Sequence, residues 1–304
     1  MPRFRAILLT LLVAATFSSI PAVAQKPAPL LLPESALPAK KTALVFGQKI
    51  AYYEAGTGPT LILVHGFASQ ARFDWGNVLL PLAKHHHVLA LDQIGFGASD
   101  KPFIDYSIQT YVDFLGEFLR VQHVTKFTLA GESLGGWISA LYTIESLDAK
   151  NTGPYANPVP TRLILEDAAG MAALPQTGGA YPVTGTLAEA HGVAIVFHDK
   201  SRVTEEFVRQ NFAMKLAAND GFTERSIWGN PKLPSQVVKD RLDKITIPTL
   251  VVWGGSDEIV PLEAGKAYAA GIPGAKLAII PECGHGPSIE KPKEFLAAVL
   301  PFID

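Results

Sequence analysis

The sequence has one cysteine, little net charge and no long apolar run beyond its first residues. Cys283 stands alone among 304 residues, so an internal disulfide cannot form. Lys and Arg number 26 against 28 Asp and Glu, a net charge of −2 that creates no strong positive field. No group of Cys and His has the spacing of a zinc site. We therefore expect no disulfide framework, no nucleic-acid partner and no metal.

The first 24 residues have the pattern of a secretory signal peptide. Arg3 and Arg5 precede an apolar run over residues 6–17, and an A-x-A cleavage motif ends at Ala24. The run is far shorter than the roughly 20 residues that span a bilayer. We expect export after cleavage near Ala24, with no permanent membrane anchor. Residues 25–41 contain four prolines and are predicted to form an extended tether.

The remaining chain has the composition and rhythm of an α/β protein. Hydrophobic residues make up 48% and charged residues 18%, enough to bury a core. Short β-rich segments alternate with helical patterns, which predicts a sheet with helices on both faces. The later segments are almost wholly apolar, as in parallel strands, and the first two look like an antiparallel hairpin. Eight strands are predicted, at residues 42–46, 49–54, 61–64, 88–91, 126–130, 162–166, 249–253 and 276–280.

One long interval interrupts this alternation. Residues 170–240 lie between two predicted strands, where a crossover normally needs one helix and a few loop residues. We predict an inserted cap at 170–240, with the core formed by 42–169 and 241–304. Within the cap, residues 201–218 carry apolar side chains at helical spacing, whereas 174–186 are rich in Gly, Pro and Thr and are predicted to be loop.

A G-x-S-x-G motif at residues 131–135 lies between a predicted strand and a helical pattern. This is the context of a nucleophile elbow, whose sharp turn leaves no room for side chains two positions before and after the serine. Gly131 and Gly135 meet that requirement, and Ser133 is the candidate nucleophile. For Glu132, inside the turn, there are two interpretations: it tunes the charge of the site, or it faces solvent without a role, and the second is expected.

A serine hydroxyl needs a base that is itself oriented by a carboxylate. Asp257 and His285 each follow a predicted strand late in the chain, at the edge where α/β sheets build their sites. Asp167 also follows a strand and is the alternative acid. The backbone N–H groups of Leu134 and Phe67 are the candidates for an oxyanion hole.

Five motifs in order resemble the α/β-hydrolase family. They are HGF (65–67), DQIGFGASDKP (92–102), GESLGG (131–136), WGGSDEIVP (253–261) and GHGPSIEKP (284–292), and the resemblance runs from Tyr52 to the C-terminus except for the cap. It implies acyl transfer to water without a cofactor: Ser133 attacks, His285 accepts its proton and Asp257 orients His285. Relatives that open epoxides or displace halide have an aspartate at the nucleophile position, so Ser133 disfavours those reactions.

The leading hypothesis from the sequence is an exported serine hydrolase acting on esters of small to medium apolar acids. Family members with the same three residues also hydrolyse carbon–carbon bonds or carry out perhydrolysis and related haloperoxidase reactions, so these remain alternatives. A third hypothesis is a small-molecule binding protein with slow turnover. Ligand pockets are mostly apolar, and three large cap residues are expected to line one here: Trp228, Phe212 and Met171.

Overall fold

The computed structural model describes residues 29–173 and 181–304, which form one eight-stranded sheet flanked by helices. The order across the sheet is β1-β2-β4-β3-β5-β6-β7-β8. β2 pairs antiparallel with β1 and β4, and the other neighbours are parallel. The predicted α/β-hydrolase fold is therefore confirmed. The strands are β1 (Lys41–Val45), β2 (Gln48–Ala55), β3 (Thr60–Val64), β4 (His87–Leu91), β5 (Phe127–Glu132), β6 (Arg162–Glu166), β7 (Thr249–Gly254) and β8 (Lys276–Ile280).

Alternate side chains of each central strand serve two separate core layers. In β3, Ile62 and Val64 pack on one face with Trp137, whereas Leu61 and Leu63 pack on the other with Trp75. This follows from the two-residue repeat of a strand. Because helices cover both faces, β5 and β7 are buried at every position, and most of their residues are apolar.

Helices from the N-terminal and C-terminal parts of the chain complete these layers. α2, α3 and α7 cover one face, and α1 and α9 cover the other. The helices are α1 (Ala71–Leu82), α2 (Ile108–Val121), α3 (Leu134–Ser146), α4 (Leu187–Ala190), α5 (Glu205–Ala218), α6 (Gly221–Trp228), α7 (Leu262–Gly271), α8 (Pro287–Glu290) and α9 (Pro292–Ile303). In the part of the chain that the structure describes, no helix is both long enough and apolar enough to cross a membrane.

The region predicted as a cap carries α4, α5 and α6. The predicted helical stretch at 201–218 becomes α5, which begins only at Glu205 because the Thr204 side chain accepts the Phe207 N–H and caps it. Residues 181–186 lack helix and strand, and residues 174–180 of the predicted loop lie outside the described residues.

The segment before β1 is packed, which corrects the prediction of an extended tether. Leu30 and Leu31 are buried against Phe73 of α1 and against Phe197 and Phe207 of the cap region. A short 3-10 helix follows at Glu34–Ala36. Burial of these leucines overrides the extended tendency of a proline-rich segment, so residues 29–40 join the core to the cap. The predicted signal peptide, residues 1–24, and the first part of the tether lie outside the described residues.

Candidate active site

Ser133 lies at the sharp turn between β5 and α3. Its backbone angles are φ 50° and ψ −115°, a conformation that costs a non-glycine residue strain energy. Hydrogen bonds hold it there: the Ser133 N–H donates to the Glu166 carbonyl at 2.9 Å, and the Ser133 carbonyl accepts the Ala169 N–H at 2.9 Å. The strain is thus carried by the surrounding backbone, and Ser133 reaches a cavity above the sheet.

The flanking glycines have no space for a side chain. A Cβ on Gly131 would overlap the backbone carbonyl of Gly135, and a Cβ on Gly135 would overlap the carbonyl of Val64 in β3. Both obstacles are backbone atoms, which cannot rotate away. The crowding expected from the sequence is therefore present in the elbow.

The structure brings Asp257 and His285 together. Asp257 follows β7 and its Oδ2 lies 2.7 Å from His285 Nδ1. The other oxygen, Oδ1, accepts the N–H groups of Ile259 at 2.7 Å and Val260 at 3.0 Å. The Asp257 side chain is fully buried, and His285 is 6% exposed. A carboxylate fixed in this way can hold the imidazole with its proton on Nδ1 and Nε2 towards the cavity.

Asp167, the alternative acid, has different partners. Its two oxygens accept the N–H groups of Gly254 at 2.8 Å and Gly286 at 2.7 Å. It therefore ties the end of β7 to the loop that carries His285. Asp167, Asp257 and His285 lie close enough to hold a metal ion. The Asp167 oxygens accept hydrogen bonds from backbone N–H groups, and Asp257 bonds His285. Hydrogen bonds within the protein therefore already explain why these three side chains lie close together.

Glu132 does not face solvent, contrary to expectation. It is 4% exposed, and its Oε1 lies 3.1 Å from His285 Nε2. Within residues 29–173 and 181–304, no hydrogen bond joins the Ser133 hydroxyl to His285. A sequence signal existed: Phe127, Leu129 and Ala130 indicate a strand buried on both faces, and Glu132 is the last residue of that strand.

The cluster perturbs the pKa values of both partners. Burial, and then the charge of Asp74, raise the pKa of Glu132 well above its ordinary value. Burial alone would lower the pKa of His285, but hydrogen bonds to Asp257 and Glu132 raise it well above the usual range. Both shifts favour retention of protons at this site.

The candidate oxyanion groups belong to residues near Ser133: Leu134 follows it, and Gly66, which precedes Phe67, lies close to its side chain. Leu134 is the first residue of α3, where the helix dipole favours negative charge, and Phe67 lines the cavity. The turn before Phe67 is fixed by Asp74, whose Oδ2 accepts the Gly66 N–H at 2.7 Å and whose Oδ1 accepts the Ser69 hydroxyl at 2.5 Å. The part played by the two N–H groups stays a prediction.

A cavity of about 480 Å³ opens above Ser133, Glu132 and His285. Phe212 and Trp228 line it, as predicted. Met171 does not: it packs against the core beside α3, because the chain after β6 stays close to that helix. Tyr181 was not among the predicted lining residues, and its ring contacts Phe67 and Trp228 at centroid distances of 5.2 and 4.8 Å.

The charged lining of the cavity is mostly acidic. Lys215 is the one Lys or Arg among the described lining residues. Its ammonium group donates to the Ala68 carbonyl at 3.0 Å, to Asp220 at 3.2 Å and to Glu224. Its charge is therefore compensated twice. The acidic lining residues are Asp74, Glu132, Glu189 and Asp220.

The chain is similar to known proteins over most of its length. The family model described as "Alpha/beta hydrolase family" matches residues 61–299. The 2-hydroxy-6-oxo-6-(2'-aminophenyl)hexa-2,4-dienoic acid hydrolase of Metapseudomonas resinovorans is 27% identical over 268 residues, 84% of this chain and 88% of the relative.

Two solved structures are also similar. The bromoperoxidase from Bacillus anthracis has 26% identity and a TM-score of 0.72, with 87% of this chain and 99% of that chain covered. The meta-cleavage product hydrolase from Pseudomonas fluorescens IP01 has 23% identity and a TM-score of 0.75, covering 88% and 98%, a likeness of fold.

Proposed function

Because the chain belongs to the α/β-hydrolase family and is a hydrolase, we propose that it cleaves uncharged carboxylic esters of small to medium apolar acids. The cavity volume of about 480 Å³ is within the usual range for a small-molecule site. Aromatic and aliphatic residues supply much of its wall. The substrate is thus a small molecule whose acyl group packs against these side chains.

The proposed reaction proceeds through an acyl-enzyme. Ser133 Oγ attacks the ester carbonyl while His285 Nε2 takes its proton, and Asp257 stabilises the resulting imidazolium. The N–H groups of Phe67 and Leu134 bind the oxyanion. His285 then protonates the leaving alcohol, and a water molecule activated by the same imidazole releases the acid.

The charge of the cavity is the observation that carries the choice of an uncharged ester. The relative from Metapseudomonas resinovorans acts on a dienoic acid, which is an anion at neutral pH. A buried carboxylate needs a cation or several donors. In this chain Lys215 is already paired with Asp220 and Glu224, and nearby acids repel an anion. An uncharged ester meets none of these penalties.

Hydrolysis of a carbon–carbon bond is the second candidate. It is supported by the relatives, several of which are named as hydrolases of 2-hydroxy-6-oxo acids. The same serine and histidine would serve that reaction. Perhydrolysis is supported more weakly, by the likeness to a bromoperoxidase.

A panel of p-nitrophenyl esters tests the proposal. We expect turnover of uncharged esters with a maximum at short to medium acyl length, and one phosphonate adduct on Ser133 by intact mass. A monoester of a dicarboxylic acid with matched length should have a kcat/KM at least tenfold lower. Ser133→Ala is the control: it should form no adduct and keep only the roughly 10³- to 10⁴-fold rate over water that binding and an oxyanion hole supply.

The pocket charge can be tested separately. Asp220→Asn removes one partner of Lys215 and should raise kcat/KM for the anionic ester relative to the uncharged one. Equal rates for both esters in the unaltered protein would refute the charge argument. Preference for a 2-hydroxy-6-oxo-dienoic acid over every ester would establish the second candidate instead.

Export is a separate part of the proposal and is supported by the sequence of residues 1–24. Protein recovered from the periplasm or medium of the producing cell should begin at Gln25. Recovery of the chain with Met1 intact would rule out cleavage at this position.

A further inference from the structure

His285 Nε2 faces a carboxyl group in the free protein. The Glu132 Oε1 atom lies 3.1 Å from Nε2, while Nδ1 is bonded to Asp257 at 2.7 Å. Nε2 is also the only ring nitrogen left to accept a proton from Ser133 in the proposed reaction. Glu132 thus lies against the ring nitrogen that must accept the proton of Ser133.

The Glu132 side chain is fixed in this position by its surroundings. It lies in the same cavity wall as Asp74, and its Oε2 fills the space where a Cβ on Gly66 would lie. Asp74 is in turn anchored by the Gly66 N–H and the Ser69 hydroxyl. Because Glu132 is also buried, the contact with His285 is part of the packed structure and not one pose of a surface side chain.

The short distance favours a proton in this contact. A carboxylate oxygen and an unprotonated imidazole nitrogen are both acceptors and repel each other at 3.1 Å, and a proton on either atom removes that repulsion. Either Glu132 donates to neutral His285, or His285 donates as an imidazolium. In both cases Nε2 is occupied, and the pair carries one proton more than the working triad.

We infer that Glu132 is a positioning residue that holds a blocking proton on His285 Nε2, so that ester cleavage requires its release to solvent. The inference rests on the proposed function. Once the proton leaves, the two acceptors repel each other and Nε2 is free to accept a hydrogen bond from the Ser133 hydroxyl. The enzyme is therefore inactive at low pH, and its activity rises as pH rises through the pKa of the pair.

The groups around the pair are acids, and they favour the protonated form. They are Asp74 of α1 and Asp257 after β7, which act on the pair directly, and Glu166 and Asp167 at the end of β6. The raised pKa values of His285 and Glu132 have the same direction. The block should consequently persist to a higher pH than an isolated histidine would allow.

The test compares the purified protein with Glu132→Gln. Glutamine has the same shape but no titratable proton. The pKa of the His285 ring is measured by ¹⁵N NMR, and the pH dependence of Ser133 phosphonylation is followed in parallel. We expect the pKa of His285 to be lower by about one unit or more in the Gln variant. At pH values below this lowered pKa, the unprotonated fraction of His285 is then about tenfold larger, and phosphonylation should be about tenfold faster.

Glu166→Gln is the matched control. Glu166 is buried in the same acidic cluster, but its Oε1 accepts the Ser288 N–H and it makes no described contact with His285. Its pKa is raised well above the ordinary value by burial, so the substitution removes a neutral group and should leave the His285 titration unchanged. Glu132→Ala, measured in the same way, covers the case in which the Gln variant fails to fold.

The outcomes separate the inference from the function. A lower His285 pKa in both Glu132 variants supports the inference, even if no ester is hydrolysed, in which case the proposed function alone fails. An unchanged His285 pKa in a folded Glu132 variant overturns the inference, whatever the ester activity. An equal shift in Glu166→Gln also overturns it, because general loss of acidic groups would then explain the effect.

Discussion

Replacing Asp257 by asparagine tests the core of the mechanism. Asp257 uses Oδ1 for the Ile259 and Val260 N–H groups and Oδ2 for His285 Nδ1. An asparagine that keeps the first two bonds must place its NH₂ against Nδ1. The imidazole then carries its proton on Nε2 and cannot accept one from Ser133.

The structure indicates the size of the effect. The asparagine keeps the shape of the side chain and its two hydrogen bonds to backbone N–H groups. The loss of activity therefore comes from the wrong tautomer of His285 and from the missing negative charge beside the imidazolium. The same change in a serine protease lowers kcat about 10⁴-fold. At about 1.36 kcal/mol for each factor of ten, this equals about 5 kcal/mol of transition-state stabilisation. We expect a similar loss, with a much smaller change in thermal midpoint.

Asp167→Asn is the matched comparison. Its two oxygens both accept buried N–H groups, so an asparagine must leave one of them, from Gly254 or Gly286, facing an NH₂. An unsatisfied buried group costs about 1–3 kcal/mol. At about 2–4 °C for each kcal/mol in a chain of this size, the thermal midpoint should fall by several degrees. Its kcat should fall by less than tenfold, since Asp257 still orients His285.

Steady-state kinetics with a p-nitrophenyl ester and thermal unfolding followed by circular dichroism provide both readouts. Asp257→Asn should change kcat and Asp167→Asn should change stability. The reverse ranking, with Asp167→Asn losing about 10⁴-fold in kcat and Asp257→Asn nearly active, would move the acid to β6 and refute the assignment.

Three further predictions concern stability. Gly135→Ala should lower the free energy of unfolding in urea by about 1–3 kcal/mol, because the new Cβ meets the Val64 carbonyl. Gly192→Ala is the control, because the Cβ there has open space and should leave the stability unchanged. Equal effects of the two substitutions would contradict the crowding argument. Leu31→Ala should cost about 2–5 kcal/mol, and a change below that range would show that the segment before β1 does not pack in solution. Burial, and then the charge of Glu132, raise the pKa of the Glu166 carboxyl group. The folded state therefore binds the Glu166 proton more tightly than the unfolded state does. The free energy of unfolding should consequently fall as the pH rises above about 4.5, the ordinary pKa of a glutamate. Glu166→Gln should flatten that decline in thermal midpoint between acidic and alkaline pH, and an unaltered slope would count against a buried, protonated Glu166.

Local sequence patterns were sufficient to predict the strands and the elbow. Sequence patterns located all eight strands within one or two residues: the central ones by nearly apolar segments buried on both faces, and the first two by alternation of polar and apolar residues. Gly131 and Gly135 could be interpreted because the elbow is a local backbone feature. Asp257 and His285 were accessible for a related reason, since parallel strands bring their carboxyl ends to one edge of the sheet.

Other features depend on packing between distant segments. Leu30 and Leu31 look like part of a proline-rich tether, and the tertiary structure brings Phe73 of α1 and the cap residues Phe197 and Phe207 against them. Met171 has the character of a pocket residue, yet the path of the chain after β6 places it in the core. The compensation of Lys215 by Asp220 and Glu224 likewise follows from how α5 and α6 meet.

The sequence by itself determined the sheet, the elbow and the order of Ser133, Asp257 and His285, because each is set by local periodicity or by position at a strand end. Only the tertiary structure decided that Glu132 faces His285 Nε2. The direction of a side chain at the end of a strand depends on what packs above it. Here the carboxyl group lies in the space beside Gly66 and contacts His285, and neither feature is visible from the motif alone.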